Sequence, residues 1–249
     1  MTAILKDHAI ANPGFRTPWR LSLLGAWQLT GADRPIEVGP NGQRLFALLA
    51  IRGPCDRSYV AGTLWPDCSD PRAKGNLRAT LSRLHRRRLA EVLHFANGAL
   101  SLRMDVDVDV RALLATASGI LAGTLHAPCR SLLPALTGNA LLLGWYEDWV
   151  LHERERLQSM CLRALELLAS RTLAEGDAPA AVEAALAAVA MDPLRESAHR
   201  AVIRGHLAEG NPTEAQRQLC RLRGLLRDEF GAAPSPLTTG LFAERAVAR

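Results

Sequence analysis

"DPRAKGNLRATLSRLHRRR", residues 70–88, is the stretch on which the N-terminal half turns. It holds seven Lys or Arg and, after its opening aspartate, no acid. Asp70 followed by Pro71 predicts a helix start, with a capping side chain and then proline where its missing N–H removes no bond. On a wheel advancing about 100° per residue, Ala73, Leu77, Thr80, Leu81 and Leu84 gather into one apolar stripe for a core. The opposite face carries Arg72, Gly75, Asn76, Ala79, Ser82, Arg83 and Arg86, with Arg78 at its margin.

That outer face is basic at its ends and small and polar in its middle. A helix in a DNA major groove needs small residues where bases come close. It also needs Arg or Asn where edges are read, since Arg matches guanine O6/N7 and Asn matches adenine N6/N7. A solvated basic face is the ordinary reading of such a helix taken alone. A membrane-surface helix fits less well, because the apolar stripe is narrow and already claimed by a core.

The neighbours decide between these readings. "LSLLGAWQLT" (21–30) alternates apolar residues at period two, and "PIEVG" continues that style, so both predict short strands. From Gln43 the spacing of Leu45, Leu48 and Leu49 is helical, and Gly53-Pro54 stops it. Asp56 should cap a second helix that ends near Pro66. After the basic helix, "EVLHFANGALSLRM" gives two strands joined by Asn97-Gly98, a favoured two-residue hairpin turn. Strands, three helices and a closing hairpin predict a winged helix-turn-helix, and in that setting the basic helix is the one that recognises DNA.

Charge divides along the same line. Residues 1–105 hold 15 Lys/Arg against 8 Asp/Glu, whereas residues 106–249 hold 15 against 17. Beyond Asp109 the pattern is helical almost throughout, with one irregular stretch at "GTLHAPCRSLLPALTGN". "LAEGD" (173–177) recurs as "LAEGN" (207–211), a separation of 34 residues, the period of a tetratricopeptide helix pair. Helices are predicted near 146–175, 178–191, 194–209 and 212–229. Gly176 and Gly210 mark the turns, and Ala181 and Ala215 sit where paired helices approach.

The fold class expected is mainly α with a small α+β N-terminal domain: a winged helix-turn-helix followed by an all-α tetratricopeptide-like repeat domain. The expected boundaries are a flexible leader at 1–18, the winged helix at 19–106, the helical domain at 107–240 and a tail at 241–249. The expected base-facing residues are Arg72, Asn76, Ala79, Ser82 and Arg83. Phosphate and flanking contacts are expected from Arg57, Ser58, Lys74, Arg78, Arg86, Arg87, Arg88, Asn97 and Arg103, which make binding salt-dependent without setting sequence choice.

The chain resembles the Streptomyces antibiotic regulatory proteins, transcriptional activators of actinomycete secondary metabolism. The likeness runs through "RSYVAGTLWPD", "RAKGNLRATLSRLHRR", "LLLGWYEDWVLHERERL" and the paired repeats ending "FGAAPSP", over roughly residues 19–240. It implies an OmpR-like winged helix binding direct repeats in double-stranded DNA upstream of antibiotic-biosynthesis promoters. It also implies a bacterial transcriptional activation domain that dimerises or engages RNA polymerase holoenzyme. His85 stands where the family usually shows Arg, and "GALSL" replaces the usual Gly-Tyr-Arg-Leu of the wing. Larger relatives append an ATPase module; no G-x-x-x-x-G-K-[ST] occurs here, and no nucleotide hydrolysis is expected.

Other features have plain readings. Five scattered cysteines without a C-x-x-C pair predict reduced, mostly buried thiols rather than a disulfide framework or zinc site. "HERER" (152–156) lacks the second histidine of a zincin, and its alternating charges predict a solvated helix face. His199 and His206 share a helix face but lack a third metal ligand. Trp145, Tyr146 and Trp149, placed at the start of a long helix, suit a partner interface or, more ordinarily, core filling. No catalytic motif, cofactor or metal is expected, and without a secretory signal or membrane span the protein is expected in the cytoplasm. The competing reading is a tetratricopeptide adaptor whose basic N-terminal domain binds an acidic protein or RNA.

Overall fold

The computed structural model describes residues 19–242 of the 249; the assigned leader and residues 243–249 of the tail lie outside them. The chain divides into two compact units, residues 1–109 and 110–249.

In the first unit the alternating stretch folds as β1 (Trp19–Ser22) and β2 (Gln28–Gly31), antiparallel with Leu21 opposite Leu29. β3 (Arg34–Pro35) adds to the far side of β2. The strand expected through Ile36 and Val38 stops short. Ile36 still donates its N–H to the Leu29 carbonyl at 2.9 Å, but Pro35 has no donor and a helix starts at Pro40.

This helix, α1 (Pro40–Arg52), begins three residues before Gln43. It buries Leu45, Phe46, Leu48 and Leu49 and ends at Gly53, whose φ of +76° suits glycine at a helix terminus. β4 (Cys55–Asp56) leads into α2 (Arg57–Leu64), where the Asp56 carboxylate accepts the N–H groups of Ser58 at 2.6 Å and Tyr59 at 3.3 Å.

The basic helix is α3 (Asp70–Arg86). Its cap position is Ser69 and not Asp70, which instead is the first helical residue and makes no capping bond. An acid there still complements the positive end of the helix dipole. Ala73, Leu77, Thr80 and Leu84 are buried and Leu81 only partly so. Thr80 settles its hydroxyl by donating to the Asn76 carbonyl at 2.9 Å.

A 3-10 turn (Leu89–Val92) then leads to β5 (Leu93–Ala96) and β6 (Ala99–Leu102). Asn97 and Gly98 both have positive φ, +48° and +78°, as a two-residue type I′ hairpin requires. β4 pairs with β6, so the wing hairpin joins a three-stranded sheet. β7 (Val106–Val108) returns to pair parallel with β1, giving the order β3-β2-β1-β7. Asp109 locks that return by accepting the N–H groups of Leu23 and Leu24 at 2.9–3.0 Å.

The second unit is helical. It comprises α4 (Asp109–Leu121, its first residue belonging to the first unit), α5 (Cys129–Leu136), α6 (Asp148–Ala174), α7 (Ala178–Met191), α8 (Glu196–Ala208), α9 (Pro212–Phe230) and α10 (Pro236–Thr239). α6 packs chiefly on α7, α7 on α8 and α8 on α9, the sequential stacking of a helical-repeat fold. Gly176 and Gly210 take φ of +90° and +77° in the two equivalent turns, and Ala181 and Ala215 are buried. A small α+β unit followed by a helical one is the expected fold class.

Three local expectations are corrected here. The irregular stretch contains α5, which tolerates Pro134 because a short helix has few interior bonds to break. Trp145 and Tyr146 precede α6, whose cap is Glu147, and only Trp149 lies in its first turn. "HERER" is not a uniformly solvated face. Glu153 is buried and accepts from Arg156 Nε at 2.8 Å, while Arg154 donates to the carbonyls of Leu141, Leu142 and Trp145. The Arg154 bonds tie the loop preceding α6 to the helix, whereas the Glu153–Arg156 pair lies within α6 itself.

Among the five free cysteines, Cys55, Cys129 and Cys161 are buried, Cys68 is intermediate and Cys220 is exposed. Burial pushes the Cys55, Cys129 and Cys161 thiols up, away from the reactive thiolate.

Candidate nucleic-acid interface

The apolar stripe of α3 packs against α1 and α2 and leaves its opposite face open. Of the expected base-facing residues, Arg72, Ala79, Ser82 and Arg83 are exposed. Asn76 is partly buried, and its amide points to the Cys68 Sγ at 3.9 Å. Arg83 lies toward α1: with Arg86 and Arg87 it lines a groove beside Pro40, Asn41 and Gly42. The strip read off the wheel is thus open along Arg72, Ala79 and Ser82, with Asn76 and Arg83 drawn to one side. A wheel contains no neighbours, so it could not distinguish these positions.

The flanking set divides similarly. Lys74, Arg78, Arg86, Arg87 and Arg88 are exposed, and among the described residues neither they nor Arg72 and Arg83 form an ion pair. Arg88 follows the helix in a left-handed conformation, φ +58°, which turns the chain out of α3. Arg57 begins α2 and stands 5.9 Å from the centroid of the Phe95 ring on β5, a cation–π distance. Ser58 is held in the first turn through its backbone bond to Asp56, and Asn97 forms the wing turn.

Arg103 is the exception. It donates to Asp105 twice, from Nε at 2.9 Å and Nη2 at 2.7 Å. Hydrogen bonding to Asp105, then its charge, raises the Arg103 guanidinium pKa, while the same bonding lowers the Asp105 carboxyl. The wing's last arginine is therefore already engaged by an acid.

Sequence reasoning missed the contribution of α1. Its first turn carries no capping side chain, and the Asn41 N–H has no partner among the described residues. The apolar spacing begins only at Leu45, so periodicity shows nothing of the first turn at Pro40–Gly42. Tyr59 and Phe95 were also missed: both are large, aromatic and half exposed, beside residues already assigned to phosphate.

Among the described residues, no three His, Cys, Asp or Glu side chains are placed to hold a metal, and no helix is long and apolar enough to cross a membrane. His199 is used structurally: its Nε2 bonds the Pro193 carbonyl and its Nδ1 faces the Gln218 amide, both at 2.9 Å. His206 instead pairs with Glu209 at 3.0 Å.

No curated protein matches the chain. Among solved structures, Mycobacterium tuberculosis EmbR in complex with a low affinity phosphopeptide is similar, with a TM-score of 0.67 and 20% identity over 90% of this chain. The chain spans 64% of the length of that structure, and at this identity the likeness concerns the fold, extending across both units. The family described as bacterial transcriptional activator domain matches residues 133–244, a segment within the helical unit. Residues 133–244 are thus similar to the bacterial transcriptional activator domain, and they follow an N-terminal unit with the strands, three helices and closing hairpin of a winged helix.

Proposed function

We propose that the protein acts in the cytoplasm by binding direct repeats upstream of secondary-metabolite promoters through its winged helix, and recruits RNA polymerase holoenzyme through its helical unit, as a homodimer on paired sites. One observation carries this reading. The exposed face of α3 is small at Ala79 and Ser82, bordered by cations that no acid among the described residues pairs with, and follows a capped α2 in the manner of a recognition helix. Arg72 and Ser82 face the bases, with Asn76 at the margin of the strip. Lys74, Arg78, Arg86 and Arg88 meet phosphates, and Arg57 and Asn97 bring the wing side to the backbone.

The test is a mobility-shift series with duplexes from the protein's own promoter and scrambled counterparts. Arg72→Ala should cut the ratio of the two affinities by about 5- to 100-fold, the worth of one good base contact, while weak binding to scrambled DNA persists. Equal affinity of the unaltered protein for both duplexes would sink the assignment and favour an adaptor.

A further inference from the structure

We infer that the groove between the first turn of α1 and the last turns of α3 is a phosphate-binding seat. It takes a phosphate ester whose source is the DNA strand or a free phosphorylated metabolite. The inference rests on the orientation of α3 proposed above only if the source is DNA.

The groove has a volume of about 540 Å³. That lies within the roughly 300–1,000 Å³ range of small-molecule sites. Arg83, Arg86 and Arg87 line one side and Asn41 the other, with Leu84 in the floor; no acidic residue contributes. None of the three arginines forms an ion pair among the described residues. The opposing wall is the positive end of a 13-residue helix, without a capping side chain. Three arginines and a helix N-terminus lining one groove give it a positive field that favours an anion.

The close approach that makes the groove is built into the sequence. A Cβ on Gly42 would stand 2.7 Å from Val38 Cγ1 and 3.1 Å from Leu84 Cδ2, so glycine gives α1 its close fit beside Val38 and brings it into tight contact with Leu84 of α3. A second hollow of about 390 Å³ adjoins at Gly39 and Arg87 and is bordered by Trp27, Ile36 and Val38. Its lining is mixed, with Gln28, Glu37 and Gln43 beside the apolar residues, so it suits a polar organic group and not a second phosphate.

This assignment changes the role of Arg83. Instead of reading a base edge it holds phosphate with Arg87, and its loss should affect all DNA sequences alike or none.

The test uses the full chain, with Arg83→Ala/Arg87→Ala and, off the basic helix, Asn41→Asp, which sets a carboxylate against the seat. Two readouts are taken: calorimetric titration with inorganic pyrophosphate, and affinity for cognate and scrambled duplexes across a salt series. If the occupant is DNA phosphate, the double variant lowers the slope of log affinity against log salt by about one to two on both duplexes equally. If it is a free ester, both variants weaken pyrophosphate binding at least ten-fold and leave the slope unchanged. Unchanged pyrophosphate affinity together with an unchanged slope overturns the seat. So does a loss of cognate preference in Arg83→Ala at constant slope, because Arg83 would then read a base. Absence of any cognate preference in the unaltered protein defeats the recognition reading but leaves a pyrophosphate result standing.

Discussion

Gly205 makes the closest glycine approach in the helical unit, and replacing it with alanine separates two opposing effects. Gly205 is buried in α8, and a Cβ there would lie 2.4 Å from Val182 Cγ2 and 3.7 Å from the Val182 Cα of α7. Alanine gains about 1 kcal/mol of helix propensity over glycine. Against this stands overpacking, which costs roughly 1–3 kcal/mol and belongs at the upper end here. Valine is β-branched with a stiff χ1, and both Val182 and Gly205 are buried. The net loss for Gly205→Ala is therefore about 2 kcal/mol. Val182→Ala alone removes two methyl groups from a residue 7% exposed and costs about 2 kcal/mol. Combined, the new methyl enters the vacated space, so the double variant should be about 2–3 kcal/mol more stable than the sum of the single losses predicts. Urea unfolding followed by far-ultraviolet circular dichroism reads the helical unit; the single variant should lose about 1 M in midpoint. Hydrogen exchange should localise the loosening to α7 and α8. An unchanged or raised midpoint for Gly205→Ala, or additive losses in the double variant, would refute the packing argument and leave propensity as the only effect.

Two further predictions concern acid. Burial lowers the His199 pKa and the Pro193 carbonyl bond only partly offsets it, with Arg221 also lowering it and Asp192 and Glu196 raising it. The unfolded chain therefore takes up the proton first. Stability should fall as pH drops below about 6.5, the free-histidine value, until the folded pKa is passed, and His199→Gln should flatten that slope in urea titrations at stepped pH. Glu166 acts in a lower window. Burial would raise its carboxyl, but bonds from Arg195 at 2.7 and 2.9 Å and from Ser197, with the charges of Arg195 and Arg200, hold it below the ordinary value. Its contribution is present above about pH 4.5 and lost as pH falls through the folded pKa. Because both partners of the pair are about a quarter exposed, Glu166→Gln should cost about 1–2 kcal/mol at pH 7 and nothing in strong acid.

The parts of the fold legible in the sequence are those fixed by local backbone chemistry. Asp56 caps because its carboxylate reaches amides two and three residues on, and Asn97-Gly98 turns because both positions need positive φ. The 34-residue recurrence at Gly176 and Gly210 is legible for the same reason: each turn needs a left-handed residue. What escaped depends on distant partners. β7 pairs with β1 across more than eighty residues, and three residues announce nothing by themselves. Glu153 is an acidic residue, yet it is buried, with Arg156 Nε donating to it. On α3, charge and periodicity marked out the face that is exposed, but the wheel could not show that Arg83 lines a groove with α1 or that Asp105 takes Arg103.

That last pair limits how the proposed DNA contact can work. A salt-sensitive contact requires a cation that releases counterions on meeting phosphate, and an arginine bound twice to a carboxylate must first lose those bonds. Arg103 at the wing base is in that state, whereas the seven Lys and Arg of 70–88 are exposed and unpaired among the described residues. Arg57 is free of acids too, but it lies over Phe95, whose ring gives it a neutral partner. The electrostatic part of binding therefore concentrates on α3 and its exit. Even with all seven cations on phosphate, the slope of log affinity against log salt should not exceed about six per protomer. A steeper slope would require cations outside residues 70–88, such as Arg57 or Arg103, to contribute; if Arg103 does, Asp105→Asn steepens it further by releasing that arginine, whereas a wing that merely rests on the backbone leaves it unchanged.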